Sequence, residues 1–74
     1  MSSHRSLTVV VAAYNEEAAL PLLHPRIAAV LDGLDLESRV LYVDDGSRDR
    51  TWEVLTQLAA GDPRVSLLRL SRNF

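Results

Sequence analysis

Val40-Leu41-Tyr42-Val43-Asp44-Asp45-Gly46-Ser47 is the stretch that decides how this chain folds. An apolar run with no polar break fits a strand that has protein on both faces. Two adjacent carboxylates follow at once, then a glycine and a serine. Burial penalises both charges, so a strand ending this way should open onto a crevice with a donor-rich ligand or a metal nearby. In open α/β sheets, ligands sit at the carboxyl ends of strands. The structural alternative is that Asp44 and Asp45 only start a turn and cap the next helix, since Asp and Ser are common caps.

Working outward, residues 39–43 form this strand, and Leu7 to Ala13 is a second β-branched apolar run without alternation, again fitting a strand buried on both faces. Between them, residues 16–34 carry a helical stripe of Leu20, Leu23, Ile27, Val30, Leu31 and Leu34. Pro21 suits a first turn, whereas Pro25 implies a kink or a later start. Downstream, Ser47 or Asp49 is placed to cap a helix over residues 51–60, with Trp52, Leu55 and Leu58 or Ala59 facing inward. Gly61-Asp62-Pro63 ends that helix, and residues 65–70 form a third strand. Strand, helix, strand, helix, strand with short connections predicts an α/β protein with a Rossmann-like parallel sheet and right-handed crossovers. Residues 1–6 read as a disordered tail, and 7–74 as the N-terminal portion of a longer protein.

Composition narrows the classes. The chain has 74 residues, a net charge of −2 and no cysteine. There is no electrostatic case for nucleic acid, no disulfide framework and no cysteine-based zinc site. All eight basic residues are arginine, which excludes a lysine nucleophile within these residues. No apolar run is long enough to span a membrane, and the polar N-terminus does not read as a signal peptide. Missing too are a Gly-x-Gly-x-x-Gly after the first strand, a Gly-Lys-Ser/Thr loop and a Gly-x-Ser-x-Gly elbow.

The predicted topology gathers three loops at one sheet edge. The first carries Ala13, Tyr14, Asn15 and Glu16, the second Asp44, Asp45, Gly46 and Ser47, and the third Ser71, Arg72 and Asn73. An aromatic face, carboxylates, an amide and a guanidinium suit a nucleoside diphosphate: the base stacks, a carboxylate accepts from base or ribose, and arginine pairs with phosphate. Each group also has a structural reading. Tyr14 packs by its ring, Asn15 caps a helix, and Glu16 and Glu17 favour the helix dipole. Arg72 is then a solvated surface group, Trp52 is core, and His4 and His24 have no metal-like spacing and no assigned role.

Leu7-Thr-Val-Val-Val-Ala-Ala-Tyr-Asn-Glu-Glu17, Val40-Leu-Tyr-Val-Asp-Asp-Gly-Ser-Arg-Asp-Arg-Thr51 and Leu68-Leu-Arg-Leu-Ser-Arg-Asn-Phe74, in that order, resemble the N-terminal part of a family 2 glycosyltransferase with a GT-A fold. The last segment most resembles enzymes that load sugars onto polyprenyl phosphates, such as dolichol-phosphate mannose synthase. The resemblance implies an inverting glycosyltransferase in which Tyr14, Asn15 and Glu16 line the nucleotide pocket beside Ala13. Asp44 or Asp45, or both, would bind base and ribose, Gly46 and Ser47 would shape the turn, and Arg72 would lie near the pocket. It implies a UDP- or GDP-linked sugar donor, a polyprenyl phosphate acceptor and a cytoplasmic protein acting at the cytoplasmic face of a membrane, with membrane association only through downstream parts. An Mg2+ or Mn2+ ion would be bound mainly by an Asp-x-Asp motif beyond Phe74, with the catalytic base also downstream, so neither metal ligands nor catalytic residues are expected in this chain. Alanine at 12 or 13, where many relatives carry proline, and Pro25 depart from the pattern.

Two other readings have distinct signatures. Leu41-Tyr-Val-Asp-Asp45 also resembles the acidic pair of a receiver-like phosphorylation module, but no Asp ends the next strand and no lysine follows. A non-catalytic α/β interaction domain would leave the loops only capping helices.

Overall fold

The computed structural model describes residues 5–71. Five elements follow in order: β1 (Ser6–Ala13), α1 (Leu20–Asp32), β2 (Glu37–Asp44), α2 (Thr51–Gly61) and β3 (Val65–Arg69). The three strands form one parallel sheet in the order β1-β2-β3, the Rossmann-like α/β arrangement predicted. Successive side chains on a strand alternate faces. One face of the sheet carries Val9, Val11 and Ala13, then Val40, Tyr42 and Asp44, then Val65 and Leu67. The apolar members of this set pack with Leu20, Ile27, Leu31, Leu55 and Leu58 into the core, so both helices lie on that face.

The opposite face departs from the expectation of strands buried on both sides. Val10 is 63% exposed, and Leu68 is exposed as well, while Leu41 and Val43 are half-buried. An unbroken apolar run records what a strand can tolerate on each face, and here only the helical layer covers it among the described residues.

Helix α1 is shorter than its sequence pattern. Residues 17–19 make a turn in which the Ala19 and Leu20 amides donate to the Glu16 carbonyl, and the helix starts at Leu20. Asn15 sits at φ 51°, in the left-handed region, so it cannot cap a helix that begins five residues later. For the same reason Glu16 and Glu17 precede α1, and its first turn holds no acidic residue. Pro21 occupies the first turn, and Pro25 lies within the helix. The buried stripe is Leu20, His24 and Leu31, with Leu23 and Ile27 half-buried. Val30 and Leu34 point outward, Val30 being 65% exposed.

Strand β2 begins two residues earlier than the sequence indicates and includes Asp44. Helix α2 matches its predicted span to within one residue, with Leu55 buried and Trp52 half-buried against the core. Asp49, one residue before the N-cap, performs the capping work: its Oδ1 accepts from the Thr51 amide at 2.9 Å and from the Thr51 hydroxyl.

His24 is the largest surprise inside the fold. It is buried between layers, with Nδ1 2.6 Å from the Tyr42 hydroxyl and Nε2 3.1 Å from Asp62 Oδ2. A carboxylate only accepts, so Nε2 carries a proton; in the neutral ring Nδ1 then accepts from the Tyr42 O–H. Arg64 donates to both oxygens of Asp62 and reaches Asp32 Oδ1 at 2.8 Å. The chain Tyr42–His24–Asp62–Arg64–Asp32 therefore ties β2, α1 and the α2–β3 connection together. Burial, and then the Asp62 charge, push the Tyr42 hydroxyl's ionisation up. The Arg64 guanidinium, ahead of the Arg64 amide and His24, holds the Asp62 carboxyl well below the usual carboxylate range.

Candidate functional site

All three strands end on one rung. Ala13 pairs with Asp44, and Asp44 with Arg69, each the last residue of its strand. The loops that follow therefore leave the sheet at one level. The Asp45 amide donates to the Ala13 carbonyl at 3.0 Å, and the Leu70 amide to the Asp44 carbonyl at 2.8 Å, extending the ladder just past the rung.

The β1–α1 and β2–α2 loops are stitched together. Three successive amides of the first loop donate to side chains of the second loop and of the first residue of α2: Asn15 to Ser47 Oγ at 2.9 Å, Glu16 to Thr51 Oγ1 at 2.7 Å and Glu17 to Asp49 Oδ2 at 3.3 Å. The Arg48 amide returns a bond to Asn15 Oδ1 at 2.9 Å. The left-handed turn at Asn15 aims its amide and side chain at the same neighbour, which is why a residue tolerant of that conformation stands there. The Thr51 hydroxyl, followed by backbone amides, holds the Asp49 carboxyl below the usual range, against the opposing effect of its partial desolvation.

Asp44 is fully buried. Its Oδ1 accepts from the Ser47 amide at 2.9 Å and closes the turn, in which Gly46 takes φ 76°. Its Oδ2 is buried with no hydrogen-bond partner among the described residues. A buried acceptor left unpaired costs free energy comparable to a lost hydrogen bond, so this oxygen is a place where a donor would be gained.

Above the rung lies a cleft of about 790 Å³ lined by Tyr14, Gly46, Ser47, Arg48, Arg69, Leu70 and Ser71. That size is ordinary for a small-molecule site. Of the residues the sequence singles out, Tyr14, Gly46, Ser47 and Ser71 line the cleft. Asn15 and Glu16 stand behind it as the stitches between loops, and Ala13 is buried at the rung. Asp44 is buried beneath it, and Asp45 is half-buried at the start of its turn. Arg72 and Asn73 lie outside the described residues. Arg48, Arg69 and Leu70 were not singled out by sequence. The signal for Arg69 was present: Val65, Leu67 and Arg69 alternate, so Arg69 shares the helix-side face with Asp44.

The described residues hold no group of three or more His, Asp or Glu side chains placed to bind a metal. Asp44 spends one oxygen on the Ser47 amide, and Asp44 and Asp45 are neighbours in sequence, not a chelating pair across two elements. The residues described do not fit a divalent ion, and no step is assigned to one. Nor is any described helix long and apolar enough to cross a membrane.

A parallel sheet with its loops gathered over one carboxyl edge, around a polar cleft, defines an α/β protein of the Rossmann-like type. The family profile described as glycosyl transferase family 2 matches residues 8–74, and the chain belongs to that family. It is 39% identical over its full length to an uncharacterized glycosyltransferase, YkcC, of Bacillus subtilis, covering 23% of that protein. It is 41% identical over 70 residues to an undecaprenyl-phosphate 4-deoxy-4-formamido-L-arabinose transferase of Aeromonas hydrophila, covering 92% of this chain and 21% of that protein. It is 32% identical over 68 residues to a prophage bactoprenol glucosyl transferase homolog of Escherichia coli, covering 92% of this chain and 22% of that protein. The chain thus spans less than a quarter of the length of these relatives. Family membership displaces the receiver reading, which also lacks its Asp at the end of β3.

Proposed function

We propose that this chain supplies the nucleotide-sugar-binding part of a glycosyltransferase that moves a sugar from a nucleoside-diphosphate donor to a polyprenyl phosphate. The observation that supports it most is the cleft over the common rung, built from the loops that carry the family's sequence segments. Tyr14, about half exposed at the mouth, offers a ring face for a base. Asp45 follows the rung and offers a carboxylate to ribose hydroxyls or a base N–H. Gly46 lets the backbone turn sharply and leaves room for close approach of the ligand. The stitches from Asn15, Glu16 and Glu17 hold these groups in place before a ligand arrives, which lowers the ordering cost of binding.

The acceptor reading rests on the relatives named for undecaprenyl phosphate and bactoprenol. Action at the cytoplasmic face of a membrane, and a divalent ion carried by residues beyond Phe74 that neutralises the diphosphate leaving group, belong to the same proposal.

Titration of the 74-residue chain with UDP and, separately, GDP, followed by amide chemical shifts, tests the donor site. Shifts concentrated at Tyr14, Asp45, Gly46 and Ser47 are expected with weak affinity. Shifts absent there for both nucleotides refute the site. The chain alone is expected to transfer no sugar, and transfer by the purified chain would show that more of the machinery lies within it than this reading allows.

A further inference from the structure

Two arginines line the cleft from different segments: Arg48 from the β2–α2 loop and Arg69 from the end of β3. Among the described residues that line it none bears a carboxylate, Asp45 standing beside it next to Gly46. Three other arginines are paired: Arg39 with Glu37, Arg50 with Glu53, and Arg64 with Asp62 and Asp32. Among the described residues Arg69 has no such carboxylate partner. Its rung neighbour Asp44 leaves Oδ2 without a partner among them, yet Arg69 lies over the Trp52 ring, with Cζ 5.1 Å from the ring centroid. A guanidinium held on an aromatic face keeps its N–H edges available and loses part of its rotamer freedom before any ligand binds. That is the preparation a bidentate anion contact needs.

We propose that Arg69, oriented by Trp52, is a binding residue for the diphosphate of the nucleotide donor, with Arg48 supplying a second positive charge across the cleft. This rests on the nucleotide reading of the cleft and goes further, by naming the group that takes the charged part of the ligand. Trp52 is the orienting residue and touches no ligand itself. It is also the chain's single tryptophan, so its fluorescence reports on the guanidinium above it.

The test measures UDP, GDP and uridine binding by amide chemical shifts and Trp52 fluorescence, in the wild-type chain and in Arg69→Gln, Arg69→Lys and Arg39→Gln. Arg39→Gln makes the same change in net charge far from the cleft. Arg69→Gln should weaken UDP or GDP by about tenfold or more, the loss given by one charge-assisted hydrogen bond, and leave uridine unchanged. Arg69→Lys should fall between, because it keeps the charge and loses the fork. Arg39→Gln should bind as wild type. Arg69→Gln should also flatten the dependence of nucleotide affinity on salt, a change that a merely structural role would not produce. Wild-type binding unchanged in Arg69→Gln overturns the inference and leaves the nucleotide site standing. Equal losses for UDP and uridine also overturn it, by moving Arg69 to the base or ribose. Failure of the wild-type chain to bind either nucleotide overturns the nucleotide reading, and this inference with it.

Discussion

Tyr42→Phe removes one oxygen from the interior and should cost far more than its size suggests. The hydroxyl is the partner of His24 Nδ1 at 2.6 Å, and both residues are buried. Without it, Nδ1 is a buried acceptor with nothing to accept. Leaving such a group unpaired costs about 1–3 kcal/mol. A chain of 74 residues has a total stability of about 4–11 kcal/mol, so the change consumes a large share of it. At about 4–8 °C per kcal/mol for a domain of this size, the melting temperature should fall by roughly 10 °C. Thermal and urea melts followed by circular dichroism measure this directly.

A second variant makes the reasoning sharper. Tyr42→Phe with His24→Leu removes both ends of the contact and leaves no orphan between them. Asp62 keeps its bonds from Arg64 in that variant. The double variant should therefore be less destabilised than the sum of the two single changes. A Tyr42→Phe chain melting within 2 °C of wild type, with 2 °C taken as about the precision of such a melt, would refute the argument. So would strict additivity in the double variant, since it would mean that the contact contributes nothing as a pair.

Asp62 should make the fold acid-sensitive: its carboxyl is held low chiefly by Arg64, so the stability is present above the ordinary carboxylate value near about 4 and drains away as pH falls toward the folded value. Melts between neutral pH and acid should show this slope, and Asp62→Asn should melt lower at neutral pH with a flatter acid limb. Asn15→Ala should be more destabilising than Asn15→Gly, because both lose the bond from the Arg48 amide but only alanine also strains the left-handed backbone, by about 1–2 kcal/mol; comparative urea melts decide it. Val10→Thr, on the open face of the sheet, should change stability by no more than about 0.5 kcal/mol, and a larger loss would mean that this face is covered.

The strands and their order were legible because β-branched apolar runs and turn residues alternate cleanly, and because short connections leave few topologies. The start of α1 was not. The residues from Glu16 onward look helical in isolation, but the amides of Asn15, Glu16 and Glu17 are captured by side chains more than thirty residues downstream. No local pattern contains that competition. His24 was opaque for the same reason, since its partners Tyr42 and Asp62 lie 18 and 38 residues away. In a stripe of leucines a lone histidine gives no hint of the company it keeps. Within the site, Tyr14, Gly46 and Ser47 were found at the cleft because the motif and the sheet edge agree. Arg69 belongs to a strand, not to one of the loops at the sheet edge, and only strand alternation places it on the same face as Asp44.

The bonds that cross between the first two loops bear on how such a site can be changed. Asn15, Glu16 and Glu17 depend on Ser47, Asp49 and Thr51 for their conformation, and Arg48 depends on Asn15 in return. Neither segment is a separable cassette. Grafting one loop from a relative into this chain would import half of a matched set, so a transplant of specificity should move residues 14–17 together with 46–51. Selection on this protein faces the same constraint: a replacement in one loop is filtered by its partner before any ligand has a say.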